Sequence, residues 1–143
     1  MSDEYNLHRF VRAQAPVYEA TIDGLRRGTM NTSHMEFIFP RLASRKPAPA
    51  LEPYAIRSLD EASAYLAWPI LGGRYRECVD TLHGLFHLRP RVVFGEIAAR
   101  KLHASLTLFS EASDNEFLLE TMFDAWFDGM LDEETMSQIA MMR

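Results

Sequence analysis

The sequence predicts an all-α fold, a compact single-domain bundle of about seven to eight short-to-medium helices. Three observations carry that expectation. Ser33-x-x-Glu36, Ser58-x-x-Glu61 and Ser113-x-x-Glu116 each set a hydroxyl three residues ahead of a carboxylate, the spacing of a capping box. Pro16, Pro69 and Pro90 stand where helices could begin, because a first-turn residue has no intrahelical use for its N–H. No alternating run rich in Val, Ile and Thr competes for strand formation.

Each helix then follows from its own spacing. Leu7, Phe10, Val11 and Gln14 recur at three and four, which predicts a short amphipathic helix from Asn6, its cap, to Gln14. Pro16 disfavours helical geometry at Ala15 and restarts the chain. Val17, Ile22 and Leu25 line a second helix that Gly28 should end in a left-handed conformation. Ser33 is expected to open a short segment, Met35 to Phe39, stopped by Pro40.

Residues 42–53 carry three prolines within seven positions and read as an extended, stiff loop within the domain. After the Ser58 cap, Leu59, Ala62, Tyr65 and Leu66 face inward on a helix ending near Trp68. Pro69 begins the next, with Leu71, Tyr75, Cys78, Val79, Leu82 and Phe86 on one stripe. Gly72-Gly73 in that helix costs about 1 kcal/mol per glycine against alanine, so close packing or a bend is expected. A turn at 90–94 and Gly95 precede a helix through Ile97, Leu102, Ser105, Leu106 and Phe109. Ser113 is expected to open the next, with Phe117, Leu118, Met122, Ala125 and Trp126, closed by Gly129; Asp132 caps the last, with Met136, Ile139 and Ala140.

Composition narrows the function classes. A chain of 143 residues is one domain (1–143) by length. The net charge of −5 argues against a nucleic-acid partner, and no apolar run approaches the roughly 20 residues needed to span a bilayer. The polar, acidic start Met1-Ser2-Asp3-Glu4-Tyr5 is unlike a secretory signal. A single cysteine, Cys78, cannot form an internal disulfide and suits a reducing cytoplasm. Its place on the apolar stripe predicts a buried, inert thiol. Between Glu111 and Glu134 lie nine carboxylates and no Lys or Arg.

Several stretches together resemble a known bacterial family. They include Leu7-His8-Arg9-Phe10-Val11-Arg12-Ala13-Gln14, Leu25-Arg26-Arg27-Gly28, Phe37-Ile38-Phe39-Pro40, and Tyr54-Ala55-Ile56-Arg57-Ser58-Leu59-Asp60-Glu61-Ala62. Ala64-Tyr65-Leu66-Ala67-Trp68-Pro69-Ile70-Leu71-Gly72, Val93-Phe94-Gly95 and Lys101-Leu102 with Ser105-Leu106-Thr107-Leu108-Phe109 follow in order. The pattern is similar to the family called domain of unknown function 1810, across nearly the whole chain. The resemblance implies an all-α single domain with no agreed activity. Some members carry a calpastatin label, but nothing here resembles an inhibitory repeat. The family pattern before Phe-Ile-Phe-Pro resembles Ser-His-Trp-Met-Trp, whereas this chain has Thr32-Ser33-His34-Met35-Glu36, which weakens any aromatic platform there.

The candidate chemistry is sparse. If the Ser33–Glu36 and Lys101–Thr107 stretches meet, Ser33, His34, Lys101, Ser105 and Thr107 could hold a phosphate or carboxylate among Phe37, Phe39 and Phe109. His34 and Glu36 are the candidate acid–base groups; otherwise Ser33 and Glu36 cap a helix and Lys101 is a solvated charge. His83 and His87 have a metal-ligand spacing without a third ligand, so neither a metal nor a cofactor is expected. Glu116, Glu120, Asp124 and Asp128 form an i, i+4 row, either a docking strip for the Arg89, Arg91, Arg100 and Lys101 region of another copy, or a solvated face offset by Arg contacts. Arg74, Arg76 and Glu77 are expected to pair at the surface, and Met141 and Met142, if exposed, to mark a contact surface. The expectation is a cytoplasmic, non-catalytic binding or accessory module for a small anionic ligand or a protein, with a second copy in a homodimer among the candidate partners. The alternative is an enzyme acting on a phosphate-bearing small metabolite.

Overall fold

The computed structural model describes residues 3–46, 48–85, 94–113 and 116–142. Among them are eight helices: α1 (His8–Gln14), α2 (Tyr18–Arg26), α3 (Met35–Ile38), α4 (Leu59–Ala67), α5 (Pro69–His83), α6 (Glu96–Ala112), α7 (Phe117–Trp126) and α8 (Glu133–Met142). No strand is present among the described residues; an isolated parallel bridge joins Leu42 to Ile56. The two longest helices, α5 and α6, organise the rest. α4 packs on both, α2 and α7 lie on α5, and α3 and α8 lie on α6.

One continuous core fills the centre. Phe10, Tyr65, Tyr75, Phe39 and Phe109 are fully buried, and their rings meet edge-on or tilted, Tyr75 and Phe109 at 4.5 Å and Phe10 and Tyr65 at 5.1 Å. Such ring pairs contribute beyond their buried area. The α5 stripe Leu71, Tyr75, Cys78, Val79 and Leu82 is buried as its spacing predicts. Phe86 and the turn from Pro90 lie outside the described residues. Gln14, drawn into this core, is matched, its Nε2 donating to Tyr65 Oη and to the Phe37 carbonyl, whereas the buried Trp126 Nε1–H finds no acceptor among the described residues. Burial pushes the Cys78 thiol up to about 12, so the thiolate needed for nucleophilic chemistry is absent at neutral pH.

The helix ends test the local signals one by one. Pro69 is in the first turn of α5, while Pro16 stands two residues ahead of Tyr18. Gly28, at φ 77°, ends α2: Thr29 N–H reaches the Gly24 carbonyl and Gly28 N–H the Leu25 carbonyl, the paired bonds of a Schellman motif. Asp132 accepts from the Thr135 N–H and hydroxyl and caps α8. Gly129, at φ 74°, follows the end of α7.

Three expected caps are corrected. Asn6 is itself in the left-handed region, at φ 52°, and the Asp3 carboxylate takes the Leu7 and His8 N–H groups instead. Ser33 does not cap α3: the cap position falls one residue later, on His34 in helical geometry, and no side chain accepts from the first turn, while the Ser33 N–H and hydroxyl both donate to Asn31 Oδ1. Ser113 ends α6 rather than opening α7, its hydroxyl donating to the Ser110 carbonyl. Ser58 does cap α4, accepting from Glu61 N–H. Its reciprocal half is displaced by one residue, because Glu61 accepts from Arg57 N–H.

Close contacts also tie the helices and the long loop. A Cβ at Gly72 would lie 2.1 Å from the Leu66 carbonyl oxygen, so α4 and α5 turn closely upon one another only because that side chain is absent. The loop carrying the prolines is tied by Glu52, whose carboxylate accepts from Ser44 N–H, Ser44 Oγ and Ala48 N–H. Ala43 N–H donates to the Ile56 carbonyl and Ile56 N–H to the Arg41 carbonyl. Those bonds hold residues 41–43 beside 54–56.

Candidate functional site

The Ser33–Glu36 and Lys101–Thr107 stretches do meet, through one bond. Lys101 Nζ donates to Glu36 Oε1 at 2.8 Å. Arg41 approaches the same carboxylate from the other side, its Nη2 lying 3.4 Å from Oε2 and 3.5 Å from Oε1. Burial of the half-exposed Glu36 favours its neutral form, but the two cations outweigh that and hold its carboxyl below the usual range. Glu36 is therefore a fixed anion at neutral pH. Such a group does not exchange protons near pH 7.

Beside it opens a cleft of about 280 Å³ lined by Ser33, Glu36, Phe37, Arg41, Glu52 and Tyr54, so one guanidinium and two carboxylates share its walls. Phe37 and Tyr54 meet at 5.3 Å with planes 69° apart, giving the cleft an aromatic corner. His34 is not among its walls; its ring lies 5.7 Å from Phe37. Arg41 and Tyr54 were not candidates from sequence. Thirteen positions separate them, and only the Leu42–Ile56 bridge sets them side by side.

The other sequence candidates go elsewhere. Ser105 is 0% exposed and bonded to Tyr75 Oη at 3.0 Å, and Thr107 donates to the His103 carbonyl while accepting Asp132 N–H. Neither faces a ligand. Both brace α6, one against the core and one against the α8 cap. Lys101 donates to Glu36 and does not line the cleft. His83 Nε2 lies 2.8 Å from Thr121 Oγ1 and 3.2 Å from the Leu118 carbonyl; His87 lies outside the described residues. Among the described residues no three His, Cys, Asp or Glu side chains are grouped to hold a metal ion.

The acidic row is also revised. Glu116 precedes α7 and makes a forked ion pair with Arg76, at 2.9 to 3.1 Å. Asp128 lies beyond the helix end in the left-handed region. Only Glu120 and Asp124 share the helical face, both exposed. Arg74 rests over the Tyr18 ring and donates to Gln14 Oε1, while Glu77 accepts from Tyr18 Oη. Arg89 and Arg91 lie outside the described residues.

The model for the family described as "protein of unknown function (DUF1810)" matches residues 4–139. The chain belongs to that family. This DUF1810 protein is similar to the crystal structure of the conserved hypothetical protein Rv1873 from Mycobacterium tuberculosis, with a TM-score of 0.89 and 35% identity over 96% of this chain and 99% of that one. No curated protein matches it. The expected family and all-α architecture thus hold along almost the full length. None of the described helices is long and apolar enough to cross a membrane.

Proposed function

We propose that this DUF1810 protein is a non-catalytic module that binds a small anionic ligand in the cleft between α3, Arg41 and Tyr54. The observation that carries the reading is the imbalance around Glu36. One carboxylate faces two cations: Lys101 donates to it at 2.8 Å, while Arg41 stands off at 3.4 Å. Arg41 sits at the long end of hydrogen bonding and lines the cleft. Its fork can turn to a carboxylate or phosphate without leaving Glu36 uncompensated. Phe37 and Tyr54 offer apolar faces to the body of such a ligand, the usual division of labour in small-molecule sites.

The competing reading, an enzyme acting on a phosphate-bearing metabolite, asks for a proton-exchanging group and an anion holder. Glu36 is held ionised, Lys101 is spent on it, and Ser105 and Thr107 are occupied within the fold. A thermal-shift titration with benzoate and with inorganic phosphate tests the binding reading, because a ligand that binds only the native state raises its apparent stability. Wild type should gain stability with at least one probe, Arg41→Ala should lose that gain, and Tyr54→Ala should weaken the benzoate response more than the phosphate response. No stabilisation by either probe, or an equal gain in Arg41→Ala, refutes it.

A further inference from the structure

A second surface lies away from that cleft. Leu42, Ile56, Met141 and Met142 line a groove of about 330 Å³ whose rim carries Arg45 and Arg57. Met141 is 73% exposed, a large apolar group left in water at the end of α8. The rim is basic and only lightly engaged. Arg45 pairs with Glu134 at 3.2 Å and donates to Ser137 Oγ at 3.3 Å, both charged partners well exposed, and such surface pairs exchange readily. Arg57 donates to the Ala55 carbonyl and forms no ion pair among the described residues.

The outer face of α7 is its chemical complement. Phe117 is 77% exposed, and Glu120 and Asp124 follow it at i+3 and i+7, so all three share one face of the helix over about 10 Å. Neither carboxylate has an ion-pair partner among the described residues, whereas Glu116 next door has Arg76. An aromatic knob followed by two unpaired anions matches an apolar, methionine-lined groove followed by two arginines. Thioether–aromatic contact favours the first match and charge complementarity the second.

We propose that this chain associates head to tail with a second copy of itself, Phe117 of one copy entering the Met141–Met142 groove of the next while Glu120 and Asp124 face Arg45 and Arg57. The two surfaces differ, so the contact is heterologous and each added copy leaves one groove and one helix face open. The patch is small compared with stable interfaces, which places the association at high protein concentration.

Sedimentation equilibrium of the full chain from about 10 µM to about 1 mM, in about 50 mM and about 500 mM salt, reads this directly. The weight-average mass should rise at least twofold above 16.4 kDa with concentration, and salt should reduce the rise. Phe117→Glu and Met141→Glu, both at exposed positions, should each hold the mass at the monomer value while keeping the helical melt. Mixing these two variants restores one intact groove and one intact knob, so the mixture should associate again and stop at two copies. A wild type that stays at 16.4 kDa throughout overturns the proposal. So does association that survives Phe117→Glu, which would mean the groove meets something else, or a mixture that remains monomeric.

Discussion

Replacing Arg9 by alanine should be among the most damaging single changes outside the aromatic core. All five guanidinium donors are used: Nε to the Pro53 carbonyl at 2.8 Å, Nη1 to the Tyr5 and Asn6 carbonyls at 2.7 and 2.9 Å, and Nη2 to the Ala55 carbonyl and Glu61 Oε2 at 2.9 and 2.8 Å. One side chain thus ties the chain start, α1, the loop before α4 and α4 itself. Its partner Glu61 has a side chain only 5% exposed, against 15% for Arg9. Removing the cation strands a buried carboxylate, a loss of about 3–5 kcal/mol. At about 0.3 kcal/mol per kelvin for the unfolding entropy of a chain this size, the melting temperature should fall by about 10–17 °C.

Calorimetry and urea titration of Arg9→Ala, Glu61→Gln and the double variant provide the check. Glu61→Gln removes the charge that Arg9→Ala leaves stranded, so the double variant should lose clearly less than the two single losses added together. Arg9→Lys keeps the charge but not the fork and should fall between wild type and Arg9→Ala. A loss below about 1 kcal/mol for Arg9→Ala, the range of a solvated surface pair, would refute the reasoning.

Adjacent glycines should respond in opposite directions. Gly72→Ala drives a methyl into the Leu66 carbonyl and should destabilise by well over the roughly 1 kcal/mol that helix propensity returns. Gly73→Ala, with nothing within 4 Å of its Cβ, should stabilise by about 0.5–1 kcal/mol in urea titrations. Glu36 has a depressed folded-state pKa, so its contribution is present above the ordinary carboxylate range and is lost as pH falls through that range toward the lower folded value. Stability measured from pH 7 down to pH 3 should therefore decline less steeply in Glu36→Gln than in wild type. Ser105→Ala orphans the buried Tyr75 hydroxyl and should cost about 1–3 kcal/mol in urea unfolding, with no change in any anion response, since Ser105 is sealed from the cleft.

Much of the fold is written locally, and the failures are instructive. Ser58 and Pro69 act where they stand because each touches only its own first turn. The same Ser-x-x-Glu spacing fails at Ser113, where the hydroxyl serves the end of α6 and the Glu116 carboxylate turns to Arg76. It fails at Ser33 because the helix begins one residue later, with His34 in the cap position. At the chain start, Asp3 displaces Asn6 as the cap once Asn6 adopts the left-handed conformation that ends its own candidacy. A short polar motif specifies that a chain end needs hydrogen bonds, and neighbours decide which atom supplies them.

The candidate site was half legible. Glu36 and Lys101 were both marked from sequence, and they meet across 65 positions. Ser105 and Thr107 were marked on the same grounds and are internal braces. Arg41 and Tyr54, which wall the cleft, carried no mark, since a lone arginine after Pro40 and a lone tyrosine after Pro53 belong to no periodic pattern.

What the sequence determined alone is the set of helices and their inward faces, because periodic apolar spacing, first-turn proline and terminal glycine act over a few residues and carry their own free energy. What the tertiary structure decided is the pairing of charges. Whether Lys101 is a free anion holder or the counter-ion of Glu36 depends on a hydrogen bond that needs about 3 Å and on Coulomb terms that weaken with distance and are screened over about 10 Å, and the packing of α3 against α6 brings those groups within reach.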